Sequence, residues 1–172
     1  MRCSIIVLAV LILCLTACFT VPVMAAGAVD PGHTADLSLQ YQIDGEAVPS
    51  LAVRIYRVAD ISAEADFTLA SQFAGYPVKI NGIDSDYEWN AAAQTLSGYV
   101  GSDGLKADGD AAGSNAGSAS FRGLKTGLYL VMTDTQDLNG TKITFSPFLV
   151  SLPGLDENDE WNYSVNVSPK GE

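Results

Sequence analysis

The strongest constraint on this chain is a period of two that recurs in short runs and gives way once to a helical period. Leu37, Leu39, Tyr41 and Ile43 alternate with Asp36, Ser38, Gln40 and Gln42 ahead of Asp44-Gly45, and Leu51, Val53 and Ile55 alternate with Ala52, Arg54 and Tyr56. Side chains two apart share one face of a strand, so both runs read as half-buried strands. Shorter β-type runs follow at Phe67 to Leu69, Tyr76 to Ile80, Ala119 to Phe121, Leu128 to Thr133, Lys142 to Phe145, Phe148 to Leu152 and Tyr163 to Val167. Turn signals separate the later runs at Lys125-Thr126-Gly127, Leu138-Asn139-Gly140 and Pro153-Gly154.

From Trp89 the spacing changes: Ala92, Ala93, Leu96, Tyr99 and Val100 fall on one helix face. Ser85 and Glu88 stand as a capping box and Gly101 is placed to end the helix, giving about four turns. Gly101 to Gly117 reads as a loop, being rich in Gly, Ala, Asp and Ser. Many short strands with a single helix predict an all-β sandwich with the helix inserted at one side.

Residues 1–26 predict a secretory signal peptide: Met1-Arg2 starts it, Ile5 to Leu15 is apolar, and Val23-Met24-Ala25-Ala26 supplies the small residues of a cleavage site at Ala25 and Ala26. Two other readings are an uncleaved anchor, since the apolar stretch of about 20 residues just matches a bilayer, and a lipoprotein at Cys18 through Leu15-Thr16-Ala17-Cys18. All three cysteines lie in this segment, so the exported remainder is a domain without disulfides. Loss of Arg2 takes the net charge from −11 to −12. That acid excess excludes the clustered Lys and Arg that nucleic acid or an anionic membrane surface requires. Residues 27–35 read as a flexible lead-in, 36–170 as one domain and 171–172 as a tail.

Catalytic equipment is sparse, and the expectation is that the chain is not an enzyme. No thiol remains, and the single histidine, His33, sits before the first strand rather than on a scaffold that would orient it. The acidic groups Asp84, Asp86 and Glu88; Asp108 and Asp110; and Asp156, Glu157, Asp159 and Glu160 lack the calcium-loop spacing and read as solvated loops, with no metal or cofactor expected. Asn139, Asn162 and Asn166 match the glycosylation sequon by pattern only.

Phe121-Arg122-Gly123-Leu124-Lys125-Thr126-Gly127-Leu128-Tyr129-Leu130-Val131 resembles the F-x-G-L-x-x-G-x-Y-x-V hairpin of prealbumin-like, Cna B-type domains of Gram-positive surface proteins. In that hairpin Gly127 permits the turn, and Tyr129 and Val131 share a face. The opening strand and Val53-Arg54-Ile55-Tyr56-Arg57-Val58 resemble the same family's first hairpin. Trp161, Val165, Val167, Pro169 and Lys170 are spaced as in the pilin motif of sortase-assembled backbone pilins, W-x-x-x-V-x-V-Y-P-K-N. Ser168 stands where that motif has Tyr, and Gly171 where it has Asn.

The resemblance corresponds to the N-terminal domain of such a pilin. It implies a cell-surface or pilus location, a pilin-type sortase and other pilin subunits as partners, and Lys170 as the amine that attacks the sortase thioester of the next subunit. No lysine lies in Leu37 to Tyr41, so no internal Lys-Asn cross-link is expected. The chain ends at Glu172 without a sorting signal, as expected of a truncated gene or of a fragment of a longer pilin. The alternative is a surface adhesin module that contacts host or wall ligands without polymerising.

Overall fold

The structure, a computed structural model, describes residues 27–169. The expected signal segment with Ala25 and Ala26, the lipobox at Cys18, and Lys170 with the tail lie outside the described residues.

In chain order the strands are β1 (Thr34–Gln40), β2 (Gln42–Ile43), β3 (Glu46–Ala47), β4 (Ala52–Ile61) and β5 (Phe67–Leu69), then a 310 turn at Ser71–Phe73 and helix α1 (Asp86–Asp103). After the helix come β6 (Gly109–Ala112), β7 (Ser118–Lys125), β8 (Gly127–Thr133), β9 (Gln136–Leu138), β10 (Thr141–Ile143), β11 (Phe148–Leu152), β12 (Gly154–Leu155), β13 (Trp161–Asn162) and β14 (Ser164–Val167).

One sheet runs β14-β1-β7, with β14 parallel and β7 antiparallel to β1. The other runs β11-β8-β4-β5, with β6 beside the first half of β4 on the edge that β5 uses further along. Leu37 and Leu39 of β1, Tyr41 just after it, Phe121 of β7, Val53 and Ile55 of β4, and Tyr129 and Val131 of β8 fill the space between the sheets. The opposite faces of β4 and β8, with Tyr56, Val58, Leu128 and Leu130, pack under Ala93, Leu96 and Val100 of α1. The larger sheet is therefore buried on both sides, which is why β8 reads as a nearly unbroken apolar run. A register shift in β4 between Arg57 and Ala59 lets Val58 and Ala59 both join the helix-side core. A bulge places one extra residue on a face in this way.

Several expectations are corrected. The helix starts as read: Ser85 in extended conformation accepts from the Glu88 N–H at 3.3 Å. It ends at Gly104, not Gly101. Gly104 adopts φ 62°, a left-handed cap whose N–H bonds to the Val100 carbonyl, while Gly101 is inside the last turn. The expected Gly101 to Gly117 loop thus contains the last helical residues and strand β6. Asp108 N donates to Ile55 O at 2.9 Å and Gly113 N to Leu51 O at 2.7 Å, fixing both ends of that strand. The ideal Cβ of Gly109 would meet Ile55 and Phe121 at 3.2 Å, so small residues here serve close strand approach rather than mobility.

Tyr76 to Ile80 is not a strand. Pro77 has no N–H for a ladder, and the partner of Phe67 is instead the Asn81 side chain, which both donates to and accepts from its backbone at 2.6 and 2.8 Å. The lead-in is not free either: Val29 is 2% exposed and bonds Ala63 O through its N–H at 3.0 Å.

Candidate functional site

Strand β14 carries the C-terminal motif, and its direction follows from β1, beside which it runs with Leu37 opposite Val165 and Leu39 opposite Val167. Val165 and Val167 turn inward and pack against the inter-sheet core, while Ser164 and Asn166 face out. The β2–β3 and β9–β10 hairpins turn through Asp44-Gly45 and Asn139-Gly140, all at positive φ, as this tight hairpin class requires.

At the end of β14, Val167, Ser168 and Pro169 form one wall of a groove of about 700 Å3. The opposite wall is α1, through Asp86, Trp89, Asn90 and Gln94, and Ser146, Pro147 and Phe148 at the start of β11 complete the lining. The helix presents these polar residues together because 86, 90 and 94 recur at intervals of four. Trp89 and Phe148 are half-buried and supply apolar surface, and Asp86 is the only ionisable side chain in the lining among the described residues.

Trp161 lies at the other end of this region, in β13, where its indole N–H donates to Gly27 O. Tyr163 accepts from Asp30 N through its hydroxyl at 2.8 Å, and its own carbonyl accepts from Asp36 N at 2.8 Å. The motif thus runs from β13 through β14 and just past its end. Trp161 anchors its entry, the two valines its face, and Pro169 its exit into the groove.

The hydroxyl of Tyr129 donates to Lys125 O at 2.8 Å, and burial pushes its ionisation up to about 12. Tyr41 is fully buried against Phe145 and burial raises its ionisation too, yet its hydroxyl has no partner. Asp156 is held ionised by N–H groups of Glu160 and Asn158, at 2.9 and 2.8 Å, which lower its carboxyl below the usual range.

No family model and no curated protein sequence matches the chain. Among solved structures it is similar to the full-length major pilin SpaD of Corynebacterium diphtheriae, at TM-score 0.51 and 22% identity, over 83% of this chain and 31% of that one. The chain has the fold of a pilin domain. A second similar structure is the fimbrial protein FimP of Actinomyces oris, at TM-score 0.49 and 19% identity, over 84% of this chain and again 31% of that one. The chain therefore spans about a third of the length of either protein.

On this pilin-domain fold the residues that sequence reasoning missed are the groove's far walls. Their helical half was legible, since Ser85 and Glu88 fix where α1 begins. Ser146 and Pro147 gave no local signal, because their role depends on where the start of β11 lies relative to the end of β14. No group of three or more His, Cys, Asp or Glu among the described residues is placed to hold a metal ion.

Proposed function

We propose that this chain is a structural pilin domain, exported to the cell surface, whose Lys170 accepts an acyl group from a pilin-type sortase and so joins one subunit to another. The observation that supports it most is the exit of β14. Pro169 lines the groove between α1 and the start of β11, and Lys170 follows it at the fixed spacing of neighbouring Cα atoms, about 3.8 Å.

The chemistry is an acyl transfer in which this chain supplies the nucleophile. The Lys170 ammonium gives up a proton, its Nζ lone pair attacks the carbonyl carbon of the thioester on the sortase cysteine, and the C–S bond breaks. The thiolate leaves, the nitrogen's surplus proton passes to it, and an isopeptide amide and a free thiol result. Nothing is oxidised or reduced, and the chain is substrate rather than catalyst.

The fold's contribution is position. Pairing with β1 and the inward packing of Val165 and Val167 fix the strand, Pro169 cannot extend its ladder, and Asp86 and Pro169 line the same groove. Where the cross-linked family has a first-strand lysine, Leu37 and Leu39 fill the core instead. Incorporation of an LPxTG-derived acyl group by a pilin-type sortase, lost in Lys170→Ala, tests the reading.

A further inference from the structure

Cationic groups are scarce in a chain of net charge −11, yet three basic side chains from separate elements meet at one cavity of about 450 Å3. His33, the single histidine, comes from the strap ahead of β1, Arg57 from the central strand β4, and Lys125 from the β7–β8 turn. Arg57 Nη2 pairs with the Asp60 carboxylate and lies 3.4 Å from Thr126 O, while its Nε is buried without a partner. A guanidinium carries five N–H donors, so these contacts leave donors over. The ion pairs of the described residues are Arg54 with Asp134 and Arg57 with Asp60, which leaves Lys125 unpaired among them. His33 Nδ1 lies 2.5 Å from the Thr34 carbonyl. A carbonyl only accepts, so that nitrogen carries the proton and Nε2 is the free one.

We propose that this cavity binds a tetrahedral oxyanion of the phosphate or sulfate type. Its donors approach from the strap, the strand and the turn. A carboxylate presents two oxygens in one plane, whereas a tetrahedral anion presents oxygens toward all three. Arg and Lys are the side chains suited to such groups, one as a fork and one as a point charge. Asp60 offsets the charge of Arg57, which leaves the Lys125 ammonium as the unpaired charge of the lining to attract an approaching anion. The volume falls within the range of small-ligand sites and leaves room for a group esterified to the phosphate.

The charged and titratable groups facing the cavity and the His33 ring are Asp30 and Tyr163 beside it and Arg57, Asp60 and Lys125 across it.

The test is a titration of the full chain, without its predicted signal peptide, with sulfate, whose charge is constant over the range used. The expected result is saturable chemical-shift change at the Gly32, Lys125 and Thr126 amides. A rise in melting temperature accompanies it. Lys125→Met weakens binding about tenfold, the loss of one charge-assisted hydrogen bond. Lys170→Ala changes nothing, so this site and the acceptor lysine fail or stand separately. The Lys125 side chain is exposed, so Lys125→Met leaves the fold intact. Glycerol phosphate binding more tightly than inorganic phosphate assigns the site to an esterified phosphate, and equal binding assigns it to the free ion. Shifts that never saturate, or an unchanged affinity in Lys125→Met, overturn the proposal.

Discussion

The indole N–H of Trp161 donates to the main-chain carbonyl of Gly27, which fastens the leading strap to the short strand that feeds β14. Trp161→Phe keeps the ring and removes the donor. It is expected to lower stability by about 1 kcal/mol, or about 2–4 °C in melting temperature. Val29→Asp buries a charge beneath the same strap and is expected to lose about 3 kcal/mol. Urea unfolding of the two variants measures both, and equal small losses would show that the strap is not packed.

Two buried tyrosines should respond oppositely to loss of the hydroxyl. Tyr129 donates to Lys125 O, and Tyr129→Phe is expected to cost about 1 kcal/mol. Tyr41 has no partner for its hydroxyl, so Tyr41→Phe relieves an unmet hydrogen bond and is expected to stabilise by about 1 kcal/mol. Thermal melts of the two variants decide the sign.

The helix end separates two glycines that look alike in sequence. Gly104 sits at φ 62°, where a side chain is strained, while Gly101 is helical with nothing within 4 Å of an added Cβ. Gly104→Ala is expected to destabilise by about 1 kcal/mol, and Gly101→Ala to stabilise by about 0.5–1 kcal/mol. Ser85→Ala removes the N-cap acceptor at a cost of about 1 kcal/mol. Chemical denaturation of the three variants checks the cap positions.

Much of this was legible before any coordinates. Alternation gave Tyr129 and Val131 one face of β8, and Ser85 with Glu88 gave the helix start. The helix end was not, because Gly101 offers the same chemistry as Gly104 and only packing of Val100 against the sheet carries the helix further. Strand β6 was invisible for a related reason. Gly109-Asp110-Ala111-Ala112 lacks the β-branched residues that mark strands, and its conformation is imposed by the edge of β4. Pro77 misled in the other direction, since apolar neighbours around it pack on the core without a ladder. The groove was only half readable, because its walls come from three separate segments of the chain, at Asp86 to Gln94, Ser146 to Phe148 and Val167 to Pro169.

Asp156 gives a pH dependence with a definite sign. Its carboxyl is lowered in the folded state by N–H groups of Glu160 and Asn158, so the unfolded chain binds the proton more readily. The stabilisation is complete above the unfolded-state carboxylate range and is lost as pH falls through the lowered folded value. Asp156→Ala should therefore melt below the parent protein at neutral pH and together with it in strong acid. A difference that persists unchanged in acid would mean that the carboxylate's charge is not what holds the turn.

The central claim rests on one amine. The full chain, incubated with a pilin-type sortase and an LPxTG peptide and digested for tandem mass spectrometry, should carry a single acyl adduct on Lys170, absent from Lys170→Ala and unaffected by Lys125→Met. An adduct that survives Lys170→Ala, or none on the folded parent chain while a backbone pilin is modified in the same mixture, would contradict the account.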